Sequence, residues 1–166
     1  MAGDDMDNHT GALLLDVLER LKKSIVSRDC PAMVALEGEH VLILSDYDYL
    51  RDEQAAASFE GRAAAKAVEI GATRWVLAVP QVWRITPDKV LSRAVSNHPL
   101  REGEAEAITW MSCDSGHGVD YGRVPYVRRP NGEPVFDEPE VFTVGVRPAE
   151  SMPGYVLLQA FLGSRD

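Results

Sequence analysis

Hydrophobic positions fall into short blocks along this chain of 166 residues. The stretch Pro31–Asp48 holds two apolar runs, Ala32–Leu36 and Val41–Leu44, separated by a polar break that contains Gly38. Because Val and Ile favour strands and glycine favours tight turns, this pattern predicts a β-hairpin. The second run is apolar at successive positions, so both faces of its strand should be buried, and we expect that strand to be central in a sheet.

Two segments show the periodicity of amphipathic helices. The first starts at Thr10, a residue type that caps helices, and extends to about Ser27. Its apolar stripe consists of Leu14, Val17, Leu18, Leu21 and Ile25. The second segment follows Asp52, is rich in alanine, and stops at Gly71, which is a favourable terminator. The first helix is expected to pack on the sheet, and the second is expected to pack either on the sheet or against the first helix.

The remaining elements alternate less regularly. A strand is expected over Thr73–Trp83, with Pro80 marking an edge or a bulge. Thr86 and Pro87 form a helix-start signal, so we expect a short helix that ends near His98. Further strands are expected at 107–113, 119–128, 135–136 and 141–146. The last apolar run, 155–162, fits a helix opened by Pro153, but its length also allows a strand.

The predicted order is α-β-β-α-β-α-β-β-β-α, which is not the alternation of a doubly wound fold. It indicates an α+β protein with a largely antiparallel or mixed sheet of about six strands and helices mainly on one side. Residues 10–166 are expected to form one domain after a disordered tail at residues 1–9.

Charge and cysteine content narrow the possible functions. The net charge of −9, from 26 acidic and 17 basic residues, disfavours nucleic acid and anionic membranes as partners. Four arginines near the C-terminus are the only basic cluster, and acids are interspersed among them: Arg123, Arg128, Arg129 and Arg147. The spacing of Cys30 and Cys113 matches neither a zinc motif nor a redox pair, which indicates free thiols in a reducing cytoplasm.

No apolar run approaches the ~20 residues that a membrane-spanning helix needs, and the acidic first residues do not resemble a signal peptide. The abundance of Ala, Val, Gly, Asp and Arg is typical of a GC-rich, and here we infer bacterial, coding sequence.

The strand end Leu42–Asp48 carries two carboxylates, Asp46 and Asp48. An apolar strand followed by Asp-x-Asp resembles the first motif of the haloacid-dehalogenase-like phosphotransferases. The resemblance, over about seven residues, implies that Asp46 attacks phosphorus, Asp48 acts as acid or base, and magnesium bridges. The family's later lysine and paired acidic residues have no counterpart here, and the chain lacks βαβ alternation. The alternative is that both aspartates cap a turn before the second helix.

A second candidate is the loop Cys113–Gly118, which contains a thiol and a histidine. His117 could activate Cys113 as a nucleophile if the loop folds back, with Asp114 or Asp120 orienting the imidazole. The alternative is that Cys113 is a small buried strand residue.

A metal site could be formed by His98, His117 and Asp120 together with Asp46 or Asp48, but no pair has helical ligand spacing. The simpler interpretation is loop histidines and solvated carboxylates, so neither a metal nor a cofactor is predicted.

Strand alternation places Tyr121 and Arg123 on the same face of their strand. It also places Tyr126 and Arg128 on the same face as each other. These four residues are the predicted ligand-binding residues, because a wet aromatic face suits a small molecule or peptide. The favoured hypothesis is a cytoplasmic, non-catalytic binding or accessory protein, expected to be a homodimer because its long apolar strands need cover. The alternative is a hydrolase that uses Cys113 and His117 or a metal.

Overall fold

The computed structural model describes residues 8–27, 29–85, 87, 90–94, 100–116, 118–142 and 153–163. The described residues form three helices: α1 (Asn8–Val26), α2 (Glu53–Ile70) and α3 (Tyr155–Gly163). They also form eight strands: β1 (Ala32–Glu37), β2 (Val41–Asp46), β3 (Arg74–Ile85), β4 (Val90–Ala94), β5 (Glu104–Asp114), β6 (Gly118–Arg128), β7 (Pro134–Phe136) and β8 (Glu140–Val141).

All eight strands belong to one sheet, in which every described pairing is antiparallel. The main order is β2-β1-β3-β5-β6-β7, while β4 pairs with β3 and β8 pairs with β6. This arrangement confirms an α+β fold with a largely antiparallel sheet. The long strands β3 and β5 pair over eleven positions, from Arg74 opposite Asp114 to Arg84 opposite Glu104, and form its centre.

The sheet buries apolar side chains on both faces. On β3, Trp75, Leu77 and Val79 belong to the core beneath α2 and α3, and we call this side the α2/α3 face. Val76 and Ala78 belong to the core beneath α1, which we call the α1 face. Two of the three described helices therefore share one face, and α1 covers the other. This alternation is the two-residue period expected of strands.

Local capping explains where α2 begins and ends. The Oδ1 atom of Asp52 accepts a hydrogen bond of 2.7 Å from the backbone N–H of Ala55. At the other end, Gly71 adopts a left-handed conformation with φ of 64°. A Cβ atom on Gly38 would lie 2.6 Å from the Ile70 carbonyl oxygen. The turn between β1 and β2 therefore packs directly on the end of α2.

The prediction that the second hairpin strand is central was wrong. Among the described strands, β2 pairs only with β1 and lies at the edge, whereas β1 is the buried strand of the hairpin. The strand is apolar on both faces although it lies at the edge, because helices cover both faces of the sheet even here. Leu42 and Leu44 pack on the α2/α3 core, and Ile43 packs on the α1 core.

The predicted helix after Thr86 was also wrong, because Val90–Ala94 forms β4. Strand β1 pairs only with the first half of β3, so the segment Gln81–Ile85 has a free side, which β4 occupies. Ladder hydrogen bonds satisfied by this pairing outweigh the local helix-start signal. Residues 86, 88–89 and 95–98 of the predicted helix lie outside the described residues.

Near both ends of the chain, the helix boundaries differ slightly from the predicted ones. Helix α1 begins at Asn8, two residues before Thr10, and residues 1–7 lie outside the described part of the chain. The run at 155–162 is helical and extends to Gly163. The strand predicted at 141–146 is described only at its start, in β8. None of the described helices combines the length and the hydropathy needed to cross a membrane.

Candidate functional site

The predicted nucleophile Cys113 lies near the end of β5 with 1% of its surface exposed. Its strand neighbours are Trp75 and Val119, and it belongs to the core of the α2/α3 face. Asp114 follows it on the opposite face, where it contacts α1 through Thr10. His117 lies outside the described residues. The structure therefore places the thiol and the neighbouring carboxylate on different sides of the sheet.

Asp114 is held in a network that joins four elements. Its Oδ2 atom lies 3.1 Å from Arg74 Nε and accepts a 3.3 Å hydrogen bond from the Thr10 hydroxyl, while Oδ1 accepts from Gly116 N. Arg74 Nη1 also lies 2.8 Å from Glu37 Oε1. Burial opposes the charge of Arg74, but the hydrogen bonds and charges of both carboxylates outweigh it and raise the Arg74 pKa. These contacts tie α1, β1, β3 and β5 together at one end of the sheet.

Asp46, the last residue of β2, and Asp48 form a turn. Asp46 Oδ1 accepts a 2.8 Å hydrogen bond from Asp48 N, and Asp46 Oδ2 lies 3.1 Å from Arg62 Nη2 on α2. This geometry matches the turn interpretation. Asp120 lies on β6, four strands away from β2, which corresponds to about 19 Å. One metal ion could therefore not bind both Asp46 and Asp120.

Among the residues that the structure describes, no three His, Cys, Asp or Glu side chains are grouped as metal ligands. His98, like His117, lies outside that part of the chain.

Tyr126 and Arg128 lie on the α1 face around the buried carboxylate of Glu106. Arg128 Nε is 2.8 Å from Glu106 Oε2, and the Tyr126 hydroxyl donates to Oε1 at 3.4 Å. Burial, followed by the Glu106 charge, raises the pKa of Tyr126. Burial also raises the pKa of nearby Cys30, against the opposing charge of Arg128. Arg128 Nη1 further donates to the Gly132 carbonyl at 3.0 Å, so this cluster is a tightly bonded internal group.

Tyr121 and Arg123 lie on the other side, the α2/α3 face, so the structure separates the predicted ligand-binding residues into two pairs. Around them is a cluster that we call the Trp83 patch: Gln81, Trp83, Thr109, Tyr121, Arg123 and Phe142. It lies further along the strands than the core that α2 and α3 cover. Thr109 is buried, while the other five side chains are half-buried.

Hydrogen bonds fix the orientation of the Trp83 ring. Its Nε1 donates to the Thr109 hydroxyl at 2.9 Å, and that hydroxyl donates to Gln81 Oε1 at 2.8 Å. The Phe142 ring lies 6.1 Å from the Trp83 ring, centroid to centroid. The backbone N–H of Phe142 donates to the Tyr121 carbonyl at 2.9 Å. The aromatic surface is therefore rigidly held.

Arg123 supplies the positive charge of the patch. Its guanidinium carbon lies 5.2 Å from the Trp83 ring centroid, and its Nε lies 2.9 Å from Glu140 Oε2. The Glu140 side chain is 48% exposed. Beyond Arg123 on the same face, Val127 and Val135 are cross-strand partners and are exposed. The patch therefore combines one cation, three aromatic rings and an apolar margin.

The sequence indicates Trp83 and Phe142 as strand aromatics, but it gives no signal for Gln81, Thr109 or Glu140. Their roles depend on the register of β3 against β5, which pairs Gln81 with Ala107 and Val79 with Thr109. A period-two pattern shows which residues share a face of one strand, and it does not show which residues of another strand lie beside them.

Arg147, the fourth arginine of the predicted basic cluster, lies outside the described residues.

No protein-family model matches the chain, and neither a curated protein nor a solved structure shows significant similarity to it.

Proposed function

We propose that this protein is a non-catalytic binding protein that takes a small aromatic carboxylate on the Trp83 patch. The observation that carries the proposal is the position of Arg123, whose guanidinium stands over the Trp83 ring and whose carboxylate partner, Glu140, is half exposed. The ligand class follows from the chemistry of these two neighbouring groups, one planar and apolar and the other cationic.

Arginine binds carboxylates through a planar fork of N–H donors. In the free protein Glu140 occupies part of that fork through a 2.9 Å contact with Nε. Because an exposed ion pair contributes only about 0–1 kcal/mol, a ligand carboxylate can replace Glu140 at little energetic cost. Glu140 therefore acts as an internal substitute for the ligand's charged end.

The rings of Trp83 and Phe142 supply the surface for the aromatic part of the ligand, since aromatic pairs stack or meet edge to face at such separations. The hydrogen bonds through Thr109 and Gln81 hold Trp83 before a ligand arrives. Such preorganisation lowers the entropy lost on binding. Polar groups that fix orientation beside an apolar surface are typical of small-molecule sites.

We place the protein in the cytoplasm and propose that it is a homodimer. The cytoplasmic location is supported by Cys30 and Cys113, since neither of these described cysteines is part of a disulfide. The proposed dimer interface is the edge strand β2, which does not belong to the Trp83 patch.

The test is a ligand-observed NMR titration of the protein with 2-naphthoate. Wild type should bind it, and Arg123→Gln should weaken binding about tenfold or more, because a charge-assisted hydrogen bond contributes about 1.5–3 kcal/mol. Arg62→Gln is the matched control, since Arg62 also lies over a ring, that of Phe59, and pairs with an aspartate. Equal affinity of wild type and Arg123→Gln, or equal binding of neutral 2-naphthalenemethanol, would contradict the proposal.

A further inference from the structure

The edge strand β2 carries apolar side chains but has no second strand partner among the described residues. Its sequence, VLILSD, contains neither proline nor lysine, the residues that commonly protect a sheet edge. Val41 is 49% exposed, and the three residues after it are half-buried. A strand of this kind can accept another strand through its outward backbone groups.

The hydrogen bonds of the hairpin show which backbone groups point outward. Gly38 N donates to the His40 carbonyl at 3.0 Å, so these two residues form a hydrogen-bonded pair across the turn. Bonded and non-bonded pairs alternate in an antiparallel ladder, and so Leu42 and Leu44 bond to β1. The backbone groups of Val41, Ile43 and Ser45 then point away from β1. The Glu37 carbonyl agrees with this pattern. Glu37 lies opposite Val41 in the hairpin, and its carbonyl accepts a hydrogen bond from the Thr73 N–H and so points away from β2.

We infer that β2 pairs antiparallel with β2 of a second copy of this chain, about a two-fold axis that passes through Ile43. A two-fold interface needs a self-complementary surface. In this register Ile43 faces the partner's Ile43, and Leu42 faces the partner's Leu44. The three outward residues of each strand form about six backbone hydrogen bonds, two for each facing pair. The two sheets join into one.

The positions of the polar residues at the two ends of β2 select this register. It places His40, which is exposed, opposite the partner's Asp46, and symmetry repeats the pair on the other side of the axis. A ring N–H of His40 can donate a hydrogen bond to a carboxylate that faces it across the strands. A shift of the axis by one residue towards the C-terminus places Asp46 opposite the partner's Leu42, which sets a carboxylate against an apolar side chain. A shift towards the N-terminus places His40 opposite the partner's Leu44. Only the Ile43-centred register avoids both mismatches.

The first test is the mass of the full chain by sedimentation velocity at tens of micromolar. Wild type should be a dimer. Ser45→Pro removes an outward N–H, and proline is tolerated at that position of an edge strand, so this variant should be a folded monomer. Val41→Lys adds a charge at the same edge and should give the same result. Val127→Lys is the matched control on β6, where an equally apolar, 67% exposed valine lies far from β2, and it should remain dimeric.

The second test identifies the register by oxidative cross-linking in a Cys30→Ser background. Cα atoms of a hydrogen-bonded cross-strand pair are about 5.5 Å apart, within disulfide range. Ile43→Cys should therefore cross-link to itself, whereas Val41→Cys should cross-link only when mixed with Ser45→Cys. A monomeric wild type, a dimer that persists in both folded edge variants, or equal self-cross-linking of Val41→Cys and Ile43→Cys would overturn the proposal.

Discussion

The carboxylate of Glu60, in the middle of α2, accepts a 2.6 Å hydrogen bond from the hydroxyl of Tyr49. The same carboxylate accepts a 3.0 Å bond from the backbone N–H of Leu157, in the first turn of α3. Glu60 is 3% exposed, so both bonds lie in the core. Since a helix N-terminus favours negative charge, Glu60 caps α3 from another helix and anchors the C-terminal segment on α2.

Loss of this anchor should destabilise the fold. Tyr49→Phe removes the donor to a buried carboxylate and should lower the free energy of unfolding by about 1–3 kcal/mol in a urea titration. Tyr47→Phe is the matched control, because Tyr47 is 67% exposed, and should change stability little. Equal stability of the two variants would contradict the role assigned to Tyr49.

The same pair predicts a loss of stability at alkaline pH. Burial, the Glu60 charge and their hydrogen bond raise the pKa of Tyr49, whereas an unfolded tyrosine titrates near pH 10. Above about pH 10 the unfolded chain releases this proton first, so stability falls by up to about 1.4 kcal/mol per pH unit for this group. Urea titrations between about pH 9 and pH 11 should therefore show a shallower decline for Tyr49→Phe than for wild type. Parallel curves would exclude this contribution.

Two glycines should respond in opposite directions to alanine substitution. A Cβ on Gly122 would collide with the Glu140 carbonyl oxygen and lie 2.7 Å from the Trp110 ring, so Gly122→Ala should cost about 1–3 kcal/mol. Gly61 is exposed within α2 and has no atom within 4 Å of such a Cβ. Gly61→Ala should stabilise the protein by about 0.5–1 kcal/mol. Thermal unfolding measures both changes in stability. Shifts of the unfolding temperature in the same direction would contradict the close approach of β8 to Gly122.

Two arginine ion pairs differ in burial and should therefore differ in how much each contributes to the stability of the protein. Arg74 is 18% exposed and neutralises Asp114, which is 7% exposed, so Arg74→Gln should cost about 3 kcal/mol. Arg20→Gln breaks a pair with Asp16 that is about half exposed on both sides, and should cost less than about 0.5 kcal/mol. Chemical denaturation compares the two. Similar losses would mean that the Arg74 network does not hold the end of the sheet.

The sequence by itself determined the features that depend on neighbours along the chain. The apolar stripe from Leu14 to Ile25 specifies α1, and Asp52 and Gly71 mark the ends of α2, because capping needs only nearby backbone groups. Alternation also placed Tyr121 with Arg123 and Tyr126 with Arg128. These patterns were sufficient to predict the α+β class.

Tertiary structure decided what depends on distant partners. Val90–Ala94 is a strand because β3 has a free side at that point. The edge strand β2 can be apolar because helices cover both faces of the sheet. Glu60 meets Leu157 across 97 positions, and Thr10 meets Asp114 across 104. Local periodicity holds no information about such contacts. The same applies to the Trp83 patch, since only the pairing of β3, β5 and β6 brings its ring, hydroxyl and guanidinium together.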